Sequence, residues 1–214
     1  MATPGLRELK KQRTRQLISD TARRLFSQRG FENVSVADIA QAAEVAPATV
    51  FNYFPSKEDL VYGRLETFED ELLGAIRSRA SGETVLEAFS RFVLQPRGFL
   101  SMDDDAQAAE LMALTRTIAS SPALLAREQQ IFARYTDVLA EVIASETRAR
   151  PGDLRPHTAA NAMIGVHRSL IAYVRQRLVE GPVDRRDLAR DVRSRGRAAL
   201  TLLAEGLGTY ATKG

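Results

Sequence analysis

Apolar residues recur along this chain at helical spacing, and alternating runs that would mark strands are missing. Ile18, Ala22, Leu25 and Phe26 stand at i, i+4, i+7 and i+8 and predict a first helix over 7–29. Gly30 suits the position just past its end, with Phe31 placed to fold back onto the last turn. Ser35 and Asp38 have capping-box spacing, in which the hydroxyl accepts from the third backbone N–H and the acid reaches back. Behind them Ile39, Ala40 and Ala43 give a short second helix its inner face. Pro47 suits the first position of a third helix over 46–53. Pro55 breaks the chain. Ser56 and Asp59 then open a helix that Leu65, Phe68, Leu72 and Ile76 carry on through 76. Further helices are predicted over 85–94, capped by Thr84 with Glu87, and over 104–120. Three more follow: from Pro122 to before Pro151, from Pro156 to 178, and from Asp184 onward. The pattern gives an all-α protein of about nine helices.

The 214 residues suffice for one large domain or two small ones with a real core. No stretch approaches the roughly 20 apolar residues of a membrane span, and residues 1–11 lack the apolar run of a signal peptide. The absence of cysteine removes disulfides and thiolate chemistry and fits a cytoplasmic protein. The net charge of +3 is unevenly spread. Residues 1–29 carry eight basic side chains against two acidic ones, whereas residues 30–80 carry four against nine. A basic first helix suits phosphate neutralisation, and a solvated tail fits the same charges equally well.

Three short helices with tight connections suit a helix-turn-helix. Ile39, Ala40, Ala43 and Val45 supply a small-residue packing seam, Val50 and Phe54 anchor the third helix, and Pro47, Ala48, Thr49, Asn52 and Tyr53 are left to face outward. A small or hydroxylated outer face lets a helix approach base edges in the major groove. The run FSQRGFENVSVADIAQAAEVAPATVFNYFPSKEDLV, within 13–65, resembles the DNA-binding region of the TetR family of bacterial regulators. The resemblance implies a helix-turn-helix domain over 1–55 and a helical effector-binding and dimerisation domain over 56–214. It implies a ligand-responsive repressor that binds a palindromic operator as a homodimer and is released by a small effector. By position, Arg13, Ser35, Val36, Pro47, Ala48, Thr49, Asn52, Tyr53 and Lys57 are the implied DNA-binding residues. Thr49 matches a major-groove contact, and Tyr53, Ser35 and Lys57 match phosphate contacts. Three positions depart from the family's pattern: Glu44 for a turn glycine, Ala46 for a serine cap, and Phe51 for a tyrosine.

For the effector, the expected lining is Phe68, Leu72, Phe89, Phe92, Met112, Arg116, Phe132, Tyr135, Met163 and His167, residues that equally fit plain core. The FNYFPSKEDLV form of the motif resembles a subgroup associated with acyl-CoA-like ligands, so the implied effector is hydrophobic or acyl-CoA-like. The expected dimer surface comprises Met163, Leu170, Ile171, Val174, Leu178, Leu188, Val192, Ala199, Leu202 and Leu203 on the last two helices. His157 and His167 form no i, i+4 metal pair, and no hydrolase, P-loop or dinucleotide fingerprint occurs. The expectation is therefore a non-enzyme without catalytic residues, metal or cofactor. An architectural DNA binder with no effector shares these features and differs in that its DNA affinity ignores every metabolite.

Overall fold

The structure, a computed structural model, describes residues 5–63 and 65–206, with residues 6–8 and 65–67 described by backbone alone. Among the described residues the elements are α1 Leu6–Arg29, α2 Val36–Ala42, α3 Pro47–Tyr53, α4 Lys57–Tyr62, α5 Leu65–Arg77, α6 Val85–Val93, α7 Asp105–Ser120, α8 Pro122–Thr147, α9 Arg155–Glu180 and α10 Arg185–Glu205. A turn of 3-10 helix lies at Gly98–Ser101. None of these helices is long and apolar enough to cross a membrane.

The helix starts follow local chemistry. Ser35 with Asp38, Ser56 with Asp59 and Thr84 with Glu87 all form complete capping boxes. The acidic run before α7 also acts as a cap: Asp104 Oδ1 accepts from the N–H groups of Ala106 at 2.8 Å and Gln107 at 3.0 Å, and Arg185 pairs with Asp105.

The helix expected to run from 56 through 76 is instead two, α4 and α5. Leu60, Val61 and Tyr62 are all buried, and three successive positions cannot share one helix face. At Gly63, the residue after α4, a Cβ would stand 2.8 Å from the Phe54 ring and 3.1 Å from Ser19 Oγ, so the chain passes too close there for a side chain. Leu65, read as part of that helix's apolar face, lies outside the described side chains.

The chain divides into two compact units, Met1–Glu66 with Ala109–Arg127, and Thr67–Ala108 with Glu128–Gly214. The first unit therefore extends past 55 and recruits a distant segment. Tyr62 donates to the carbonyl of Leu124 at 2.9 Å, and Arg127 reaches Asp59 at 2.7 Å, tying residues 109–127 to α4. Its core is Ile18, Ala22, Phe26, Phe31, Ile39, Val50, Phe54 and Leu60, with Phe31 returning onto Phe26 at a ring separation of 5.1 Å.

In the second unit α9 and α10 pack against each other, and Met163, Leu170, Leu178, Leu188 and Leu200 are buried. Gly196 permits that approach, since a Cβ there would come within 2.6 Å of Leu94 and 3.2 Å of Leu170. Arg175 of α9 and Glu128 of α8 form a two-armed ion pair, with Nη1 to Oε2 at 2.7 Å and both side chains largely shut from solvent.

Candidate nucleic-acid interface

The seam between α2 and α3 is built from Ile39, Ala40 and Ala43, all buried. The turn between them contains Glu44 at φ +54°, in the left-handed region. A glycine there would carry no Cβ penalty, so Glu44 bears a backbone cost that glycine would not. On α3, Val50 and Phe54 are fully buried, whereas Pro47, Ala48, Phe51 and Asn52 are exposed and Thr49 and Tyr53 half-buried. The helix thus turns one side into its own unit and offers the other to solvent.

Arg15 fixes the end of α3. Its Nη1 donates to the Tyr53 carbonyl at 3.1 Å and its guanidinium lies 4.7 Å from the Phe54 ring centre. Arg15 thus ties α1 to the end of α3 across a separation of 38 residues that no local pattern reveals. Arg13 is exposed on α1. Lys57 opens α4 with its ammonium 4.2 Å from the Phe31 ring centre, a cation–π contact.

Ser35 is exposed, and its hydroxyl lies 2.6 Å from Asp38 Oδ2 while accepting from the Asp38 N–H at 3.1 Å. That hydroxyl first, and the Ser35 N–H second, hold the Asp38 carboxyl below its ordinary pKa. Val36 begins α2, half-buried.

Ala46 caps α3 with extended backbone, φ −71° and ψ 146°, but provides no side-chain acceptor. Ala46→Ser is therefore expected to stabilise the protein by about 1 kcal/mol, raising the thermal midpoint by about 2–4 °C. An unchanged midpoint in a calorimetric scan counts against the uncapped start.

In the second unit a ring cluster gathers residues expected at an effector site. Phe68 stacks on His167 at 4.7 Å and on Tyr135 at 5.4 Å, and meets the edge of Phe92 at 5.3 Å. Phe132 approaches His167 at 5.9 Å. Leu72, Phe89 and Met163 are buried in the same unit, whereas Met112 and Arg116 belong to the first. Arg97, absent from the sequence reading, lies 3.8 Å above the Phe92 ring and donates to Glu71 at 2.6 Å. Desolvation, then the Arg97 charge, lowers the His167 pKa to about 4. Its imidazole is neutral at pH 7.

Residues 18–62 match the model for bacterial regulatory proteins of the tetR family, and residues 83–207 match the MftR C-terminal domain. Over 156 residues the chain is 32% identical to the mycofactocin biosynthesis transcriptional regulator MftR of Mycobacterium tuberculosis, covering 73% of this chain and 76% of that protein. The chain belongs to the TetR family. As a TetR-family protein with an MftR-type C-terminal domain, it is a DNA-binding transcription regulator built on a helix-turn-helix. It is also 33% identical over 147 residues to TcmR of Streptomyces glaucescens, covering 66% of this chain and 64% of that one. Two solved structures share the fold. The fatty acid degradation regulator FadR of Bacillus halodurans has a TM-score of 0.55 at 21% identity, over 90% of this chain and 98% of its own. NalD of Pseudomonas aeruginosa, described as the secondary repressor of the MexAB-OprM efflux pump, has 0.54 at 19% identity, over 88% and 97%.

Proposed function

We propose that this TetR-family protein is a repressor that binds a palindromic operator as a homodimer and leaves it when a small molecule binds the second unit. The observation that carries the reading is the two-sidedness of α3, anchored by Val50 and Phe54 while Ala48, Thr49 and Asn52 face outward. Thr49 and Asn52 read base edges in the major groove with Pro47 and Ala48 close against them. Arg13, Ser35, Val36, Tyr53 and Lys57 position the protein on phosphates. Lys57 does so at a helix start, where the backbone dipole adds to its charge.

Two recognition helices meet successive major grooves when the dimer holds them about 34–36 Å apart. Outward faces of α9 and α10 suit that dimer. Ala162, Ser169 and Ala172 are exposed, and Gly165 has open space where a Cβ would stand. They recur at spacings of three and four, as do exposed Ser194, Ala198 and Thr201 on α10. Small residues at that spacing let helices of two copies pack closely. Ile171, Val174, Val192, Ala199, Leu202 and Leu203 are partly exposed at the edges of these faces. Met163, Leu170, Leu178 and Leu188 support them from within the chain's own core.

The effector, a hydrophobic or acyl-CoA-like molecule, is received among the rings around Phe68 and His167. Its signal has a covalent route, because α8 begins in the first unit, beside the Arg127–Asp59 pair, and continues in the second. Coupling of about 1–3 kcal/mol weakens operator binding by about 5- to 150-fold, and operator weakens effector binding by the same factor.

The test is titration of the protein onto duplex DNA at several salt concentrations. Lys57→Ala is expected to reduce affinity about equally for every sequence and to lower the salt slope by about 1. Duplex binding that ignores salt rejects the interface. An operator complex that no bound small molecule dissociates rejects the effector.

A further inference from the structure

Phe51 is the one ring among the large apolar side chains described as exposed; it is 51% accessible, and the others are Leu9, Leu17, Leu154 and Val179. It lies on α3 three residues beyond Ala48 and four beyond Pro47, so the three share one edge of that helix. All three are exposed. Thr49, Asn52 and Tyr53 form the opposite edge, and Val50 and Phe54 point into the core. The outward side of α3 is thus divided lengthwise into an apolar edge and a hydrogen-bonding edge.

A phenyl ring donates no hydrogen bond, so Phe51 has nothing to give a phosphate oxygen or a base heteroatom. The major groove holds one apolar group, the C5 methyl of thymine. Arg13 and Lys57, in the same unit, supply positive charge that attracts a duplex.

We propose that Phe51, flanked by Pro47 and Ala48, is a specificity-determining residue that packs on thymine methyl groups in each operator half-site. The inference rests on the DNA-binding reading above and adds the chemical group that is read. Withdrawing the ring and one methyl from water together gives a preference for thymine over an otherwise identical base lacking the methyl. Phosphate contacts are unaffected, so the preference is independent of salt.

The experiment starts from duplexes selected by the full-length protein from a random library, with each thymine then replaced singly by deoxyuridine. Wild type is expected to lose roughly three- to tenfold in affinity at one or two positions per half-site and to be indifferent elsewhere. Phe51→Ser is expected to bind the parent and the uridine duplexes alike at those positions, with an unchanged salt slope. Phe51→Tyr, which keeps the ring, retains the uridine penalty and guards against a serine variant that has lost helix. Selection that yields a tight duplex on which no uridine matters overturns the proposal alone, as does a Phe51→Ser protein of normal helicity with the full penalty. Recovery of no duplex overturns the DNA-binding reading and this proposal with it.

Discussion

Replacing Glu128 with alanine is expected to cost about 3–5 kcal/mol of unfolding free energy. Glu128 is buried near the start of α8, and its carboxylate takes both arms of the Arg175 guanidinium from α9. Arg175 is itself mostly enclosed, and its Nε already lacks a partner inside the protein. Removing the carboxylate leaves a guanidinium that cannot shed its proton, held away from water with its donors unmet. The loss comes from that stranded charge more than from any strength of the original pair, since two desolvated ions gain little over an apolar pair of equal volume. The double variant Glu128→Leu, Arg175→Met is therefore expected to recover most of the stability. Urea midpoints followed by far-ultraviolet circular dichroism, at one fixed protein concentration, measure both. A single-variant loss below about 1 kcal/mol is the value of a water-screened surface pair and would refute the buried reading. A double variant as weak as the single one would show that the pair is needed for shape.

The Glu128–Arg175 pair also marks the limit of what sequence conveys. Periodicity located the helices, because an apolar face is repeated locally, and three capping boxes named their starts, because cap and partner are three residues apart. The same local logic exposed the helix-turn-helix. It does not say what a given apolar face packs against. Met163, Leu170, Leu178 and Leu188 belong to a real stripe, but all four are already buried within the single chain. The outward small-residue faces, Ala162 to Ala172 and Ser194 to Thr201, carry no hydrophobic signal. The break at Gly63 was hidden for a related reason. Apolar spacing continues across it, and the nearness of Phe54 and Ser19, which leaves no room for a side chain at Gly63, is visible only in space. Arg15 on Tyr53, Arg97 on Phe92 and Arg175 on Glu128 join residues distant in sequence, and arginines on helices look alike until their partners are known. Phe51 is the opposite case. Its departure from the family's tyrosine was legible, and its exposure beside Ala48 and Pro47 gives the departure a use.

The second large effect follows from His167. Its imidazole, half-buried, stacks on Phe68 at 4.7 Å and stands edge-on to Phe132, so these rings displace much of the water around it, and Arg97 adds a like charge to any proton it takes up. Both influences disfavour the cation, and the pKa falls from 6.5 to about 4 in the folded protein. The unfolded chain keeps the ordinary value and protonates first as the solution is acidified. Between about pH 6.5 and pH 4 the unfolded state therefore binds the extra proton, and stability falls with decreasing pH by about 1.4 kcal/mol per unit. The contribution is complete above the unfolded value and exhausted below the folded one, a total of about 3 kcal/mol. Carboxyls with lowered pKa, such as Glu83, Glu87 and Glu146, also withdraw their stabilisation on acidification, each in its own lower window. His167→Phe separates the two effects, because it keeps a ring in the stack and removes the titration. Wild type and His167→Phe are expected to differ in the slope of unfolding free energy against pH between 6.5 and 4.5 and to run parallel above pH 7. The His167 ring proton resonance, followed by NMR, should titrate near pH 4. Titration near pH 6.5 in the folded protein, or identical slopes in the two proteins, would mean that water reaches the ring. The cluster would then present a solvated imidazole to an effector rather than the dry, neutral surface that suits an apolar one.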